Sequence, residues 1–240
     1  MHRYLCAALV LCALSSAGCS PGCTVGFGIE RERPDRTAET ISPKLAAPPA
    51  RADAVDQRPR VVVLGDSLTA GLGLSPEEAY PTLLQLKIDE ARLGYHVVNA
   101  GVSGDTSADG LSRLDWALDG DVRVMVVALG GNDALRGLPV GELKKNLATI
   151  IERAQAKKIR VVLAGMEAPP NFGQSYIVSF HQIYPELSNT YGVPLIPFLL
   201  QGVAGIDGLN QRDGIHPTAE GARAVADNVW TVLRPMLKPT

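Results

Sequence analysis

From Arg60 onward, short apolar runs alternate with stretches whose apolar residues recur at helical spacing. Arg60–Leu64 turns apolar after its first residue and does not alternate before Gly65-Asp66, which predicts a strand buried on both faces. Ser75-Pro76-Glu77-Glu78 has capping-box spacing and predicts a helix running to about Leu93. Tyr95–Asn99 reads as a second strand, Thr106–Leu118 as a helix, and Arg123–Leu129 as the most hydrophobic strand. An amphipathic helix is predicted over Val140–Lys157 and a fourth strand over Arg160–Ala164. Tyr176–Tyr191 reads as a helix, Val193–Phe198 holds a fifth strand, and a long loop leads to His216-Pro217. The last helix is predicted from about Thr218 to Leu237, with Pro217 suited to its entrance.

Strands alternating with helices imply a parallel sheet covered on both faces. The expected fold is therefore α/β, with a five-stranded parallel sheet in a three-layer α/β/α sandwich over residues 59–240. Ligands of such sheets sit at the C-terminal ends of the strands. That singles out four turns: Gly65-Asp66-Ser67-Leu68, Ser103-Gly104-Asp105, Gly130-Gly131-Asn132-Asp133 and Asp213-Gly214-Ile215-His216.

The first sixty residues differ from the rest. Arg3 followed by the apolar run Leu5–Leu14, too short to span a bilayer, reads as an export signal over residues 1–19. Ala17-Gly18-Cys19 resembles the end of a bacterial lipobox, with Ser16 where Leu is usual, so Cys19 is the candidate lipidation site. Simple secretion and an uncleaved anchor are the alternatives. Residues 20–58 are rich in Pro, Ala, Arg and Asp without a hydrophobic period, and are expected to form a disordered tether. The expected location is periplasmic or extracellular, with membrane attachment through Cys19.

Composition removes several chemistries. The net charge is −2 with both signs interspersed, which gives no footprint for nucleic acid. All four cysteines, Cys6, Cys12, Cys19 and Cys23, fall in the leader, so the folded domain has neither a thiol nucleophile nor a thiolate metal site. Ester hydrolysis needs a nucleophile, a base, an orienting acid and donors facing the developing oxyanion. Ser67 is the candidate nucleophile, His216 the base and Asp213 the orienting acid. Asn132 offers a side-chain amide and Gly104 an unshielded backbone N–H. His96 and His181 read as surface or packing residues, Asp66, Asp105 and Asp133 as turn formers, and Trp116 and Trp230 as core.

The four turns, in this order, resemble the four blocks of the SGNH hydrolases, the GDSL esterase superfamily. Asn99–Ser107, Leu129–Asp133 and Asp213–Pro217 extend the likeness toward its bacterial arylesterase, acyl-CoA thioesterase and lysophospholipase group. The resemblance covers residues 60–237. It implies a flavodoxin-like sheet and an oxyanion hole made of the Ser67 N–H, the Gly104 N–H and the Asn132 side chain. It implies a small acyl ester or thioester substrate, an acyl-enzyme on Ser67, and no metal or cofactor.

Three rivals fit less well. An ordinary α/β-hydrolase needs G-x-S-x-G, which Gly65–Thr69 lacks. Gly71-Leu72-Gly73 has no third glycine at dinucleotide-binding spacing. A non-enzymatic binder on the same fold would have lost a block residue, and a carbohydrate acetylesterase stays open within the superfamily. The loops 168–175 and 199–212, with Gly173, Gly202 and Gly205, are expected to border the pocket and to admit varied acyl chains.

Overall fold

The computed structural model describes residues 56–238. The expected signal 1–19, Cys19 and the tether up to residue 55 lie outside the described residues. Five parallel strands form one sheet: β1 (Arg60–Gly65), β2 (His96–Gly101), β3 (Val122–Ala128), β4 (Arg160–Ala164) and β5 (Leu195–Ile196). Their order is β2-β1-β3-β4-β5. The central strands are apolar because helices cover both faces; Val61, Val63 and Leu64 of β1 and Val124–Val127 of β3 are fully buried.

Helices α1 (Ser67–Ala70) and α2 (Tyr80–Glu90) follow β1, and α3 (Ser107–Ser112) and α4 (Leu114–Ala117) follow β2. Next come α5 (Gly131–Leu135) and α6 (Val140–Ala156) after β3, α7 (Gln174–Tyr191) after β4, and α8 (Ala219–Leu233) after β5. Helix α2 packs with α8 in one layer, and α6 packs with α3 and α7 in the other. This is the three-layer α/β/α architecture expected from the alternation.

Several boundaries depart from expectation, each for a local reason. The Ser75–Glu78 pair closes an isolated turn, with Glu78 Oε2 accepting from Ser75 N and Oγ at 3.1 Å. Helix α2 starts only at Tyr80, with Pro81 in its first turn. The helix expected over Thr106–Leu118 is two short helices, because Arg113 leaves helical geometry at φ −102°, ψ 10°. Strand β5 is two residues long because Pro194 and Pro197 flank it and neither has an N–H for the ladder. Trp116 is not core: it is 68% exposed, since α4 buries Leu114 and Ala117 and turns Trp116 outward. Trp230 packs partly buried against the core, as expected.

Strand β2 is an edge, and an open edge invites pairing with another chain. Gln85 of α2 covers it, its Oε1 accepting from Val97 N at 2.6 Å and its Nε2 donating to Tyr95 O at 3.0 Å. The last residues assigned to the tether belong to the domain. Asp56 pairs with Arg58 and His96, and Arg58 with Asp89, beside the N-terminal ends of β1 and β2.

Candidate active site

Three of the four turns follow directly on a strand that stops, and the fourth, Asp213–His216, closes the long loop after β5. Strand β1 ends at Gly65, where a Cβ would stand 2.0 Å from Thr69 Oγ1, so only glycine lets the chain turn directly into α1. Asp66 caps that helix, its Oδ1 accepting from Leu68 N at 3.0 Å. Asp66 is 2% exposed, and burial pushes its carboxyl up to about 6 against the pull of the Leu68 N–H. Ser67 then opens α1 at the C-terminal edge of the sheet.

The loop after β5 brings a second arm to Ser67. His216 Nε2 lies 2.8 Å from Ser67 Oγ, and its Nδ1 lies 2.7 Å from Asp213 Oδ2. The carboxylate is acceptor-only, so Nδ1–H donates to it and Nε2 is left to accept from the Ser67 hydroxyl. Asp213 Oδ1 also accepts from Ile215 N at 2.9 Å and His216 N at 3.0 Å. The His216 hydrogen bond, then these backbone bonds, hold the Asp213 carboxyl down at about 2.

A third arm is built around Gly104 and Asn132. Gly104 has φ +88°, and its carbonyl accepts from Arg136 Nη2 at 2.7 Å. Asn132 opens off α5, which follows a left-handed Gly130, and its Nδ2 donates to Asp105 O at 3.0 Å. The other Asn132 hydrogen has only a long contact, 3.4 Å, to Asp66 Oδ2. Asp133 is more than a turn former: it is 3% exposed and accepts from Ser107 N at 2.8 Å and Ser107 Oγ at 2.6 Å, clamping α3 to α5.

A cavity of about 480 Å³ opens beside this chain of groups. Ser67, Asn132 and His216 line it together with Leu135, Met166, Phe198, Leu200 and Ile215. Of the two loops expected at its border, the first contributes Ala168, Pro169 and Pro170 and the second Leu200 and Ala204. The structure thus joins Ser67, Asp213 and His216 in one hydrogen-bonded chain and sets Asn132 against the Gly104–Asp105 segment. Among the described residues no cluster of three or more His, Cys, Asp or Glu side chains is placed to hold a metal ion, and no helix is long and apolar enough to cross a membrane.

Two features escaped sequence reasoning. His181 has an acidic partner: its Nδ1 sits 2.7 Å from Oε1 of Glu167, which lines the pocket. The one available signal was that Glu167 follows a strand end, as three of the four turns do. Arg113 donates from Nε to Asp105 Oδ2 at 2.6 Å, and from Nη1 and Nη2 to Ala100 O and Gly65 O, both at 2.8 Å.

Comparison with known proteins identifies the family. A family model described as "GDSL-like Lipase/Acylhydrolase family" matches residues 63–224. Esterase TesA of Pseudomonas aeruginosa is 41% identical over 178 residues, covering 74% of this chain and 89% of that protein. Thioesterase 1/protease 1/lysophospholipase L1 of Escherichia coli K12 is 37% identical over 188 residues, covering 78% of this chain and 88% of that protein. A crystal structure of TesA superposes with a TM-score of 0.72 at 41% identity, over 74% of this chain and 99% of that one. A match of this extent, with relatives of this identity, means that the chain belongs to the GDSL-like lipase/acylhydrolase family and is a carboxylic ester hydrolase.

Proposed function

We propose that the chain hydrolyses short- to medium-chain acyl esters, acyl thioesters or lysophospholipids through an acyl-enzyme on Ser67. The observation that carries this reading is the unbroken hydrogen-bonded chain from Ser67 Oγ through His216 to Asp213 at the mouth of an apolar cavity. His216 Nε2 takes the Ser67 proton as Oγ attacks the acyl carbonyl. Asp213 holds the ring in the tautomer this requires and stabilises the imidazolium that forms. The developing oxyanion is met by the Ser67 N–H, the Gly104 N–H and the second hydrogen of Asn132 Nδ2, the one not held by Asp105 O. His216 then returns the proton to the departing alkoxide or thiolate, and water, activated by the same base, releases the acid.

The substrate range rests on the pocket and on the relatives. Most side chains on the cavity wall are apolar, which suits an acyl chain better than a sugar ring. The relatives' names cover an esterase, a thioesterase and a lysophospholipase. We further propose export by the signal over residues 1–19 and lipidation at Cys19, placing the domain outside the cytoplasmic membrane of a bacterium.

A fluorophosphonate label and a chain-length series of p-nitrophenyl esters and acyl thioesters test the assignment. One equivalent of label is expected on Ser67. Ser67→Ala is expected to lose the label and roughly 10⁴–10⁶ in kcat while keeping its fold. Label or turnover that survives in Ser67→Ala overturns the assignment.

A further inference from the structure

Arg113 touches no part of the reaction centre, yet it meets three segments that build it. Its side chain is 18% exposed and that of Asp105 is 13% exposed. Asp105 follows Gly104 directly, and its own carbonyl is the acceptor that holds Asn132 Nδ2 at 3.0 Å. The Nη1 and Nη2 bonds go to the carbonyls of Ala100 and Gly65, at the ends of β2 and β1. Gly65 leads straight to Asp66 and Ser67, while Ala100 leads through Gly101 to Gly104. The Gly65 carbonyl also accepts from Val102 N at 3.1 Å, so both strands are tied where they diverge.

We infer that Arg113 is a positioning residue of the reaction, fixing the Gly104–Asp105 segment against the nucleophile strand and neutralising Asp105 beside the oxyanion site. This rests on the reading of Ser67, Gly104 and Asn132 given above. Three acceptors on three segments, met by Nε and both terminal nitrogens, require a planar fork; a lysine ammonium is a point donor and cannot reproduce it. The break between α3 and α4 belongs to the same device, since Arg113 is both the last cap of one helix and the first cap of the next.

Electrostatics points the same way. Two carboxylates, Asp66 and Asp105, sit close to where negative charge develops on the substrate, and Asp105 adds to the pressure that raises Asp66. Among the described residues Arg113 is the cation in contact with Asp105. With Arg113 gone, the Asp105 charge would oppose the oxyanion at the adjacent Gly104 N–H and would be free to swing the segment.

The test uses the full chain and a p-nitrophenyl ester, comparing Arg113→Gln, Arg113→Lys and the double variant Asp105→Asn/Arg113→Gln. Arg113→Gln is expected to lower kcat by about 10² with KM within about threefold, and to slow fluorophosphonate labelling in parallel, because that reagent also passes through an oxyanion. Arg113→Lys, which keeps the charge but not the fork, is expected to lose about tenfold. The double variant is expected to regain about tenfold over Arg113→Gln, since removing both charges relieves the repulsion. A purely structural role would lower the melting temperature of all three without that recovery. The inference fails if Arg113→Gln keeps kcat within twofold, or if the double variant recovers nothing. Should Arg113→Gln not fold, wild-type kcat in Arg113→Lys overturns it equally. Wild-type protein without ester turnover would sink the functional reading instead, so the two failures are separable.

Discussion

Two arms meet at Ser67, and they are built in opposite ways. The Gly104 arm is fastened by side chains from distant parts of the fold: Arg113, Asn132 and Arg136 all hold it, and Ser107 is clamped to buried Asp133 just beyond. The His216 arm is held chiefly by itself. Gln211 N donates to His216 O at 2.7 Å, Gln211 Nε2 to Pro217 O at 2.9 Å, and Asn210 Nδ2 to Val203 O and Ile206 O. Its one long tie among these is Gln211 Nε2 to Leu72 O at 2.7 Å. Gly202, Gly205, Gly208 and Gly214 carry positive φ along it, with no atom near enough to contact an added Cβ. On the proposed reading the Gly104 arm carries the oxyanion donors, and such donors act by standing still, which suits an arm bolted to the core. On the same reading His216 is the base, and a short self-contained loop suffices to aim it.

The largest effect should come from the self-contained arm, because one residue both orients its base and folds its turn. Asp213→Asn is expected to lower kcat by roughly 10²–10⁴ with little change in KM, since an amide can donate to Nδ1 and select the wrong tautomer. Steady-state kinetics on one ester checks this, and a near-wild-type rate would remove Asp213 from the mechanism. Asp213 is held near 2 against an ordinary 3.8. Its contribution to the arm is therefore complete above about pH 4 and lost only as pH falls through about 2. Acid inactivation between pH 4 and 6 that Asp213→Asn abolishes would contradict that direction.

The bolted arm should respond less, because several groups share the load. Asn132→Ala is expected to lower kcat by roughly 10²–10³ with KM nearly unchanged. An effect confined to KM would make Asn132 a ground-state contact and weaken the contrast between the arms.

The smallest effect concerns stability. Burial raises Asp66 to about 6, so the folded state resists its ionisation and loses stability as pH climbs from the ordinary 3.8 through about 6. Asp66→Asn keeps an acceptor for Leu68 N and removes that penalty. It should raise stability above pH 6, on the order of 1–2 kcal/mol, and leave it nearly unchanged at pH 3.5. Urea unfolding at the two pH values decides it; an equal shift at both would assign the effect to packing.

The sequence revealed whatever is local and repeats. Apolar runs marked β1, β3 and β4, which are almost wholly buried, whereas edge strand β2 keeps polar positions at His96 and Asn99; three of the four chemical turns lay just past a strand. It located β5 within Val193–Phe198 but not its two-residue length, which shows only when the flanking prolines are counted as missing donors. It read Ser75–Glu78 as a helix cap because the same side-chain bonds can close a lone turn. Arg113 was invisible for a different reason: its acceptors at Gly65, Ala100 and Asp105 lie 48, 13 and 8 residues away and two of them are backbone carbonyls. Backbone acceptors leave no residue-type signature. The Glu167–His181 pair likewise joins a strand end to a helix 14 positions on.

The ties of Asp56 and Arg58 beside the start of β1 have a geometric outcome. All five strands run the same way, so their starts form one end of the domain and their finishes, with Ser67, the other. A six-residue strand such as β1 separates the two ends by about 20 Å. Asp56 and Arg58, tied beside the start of β1, therefore stand at the end of the sheet remote from Ser67.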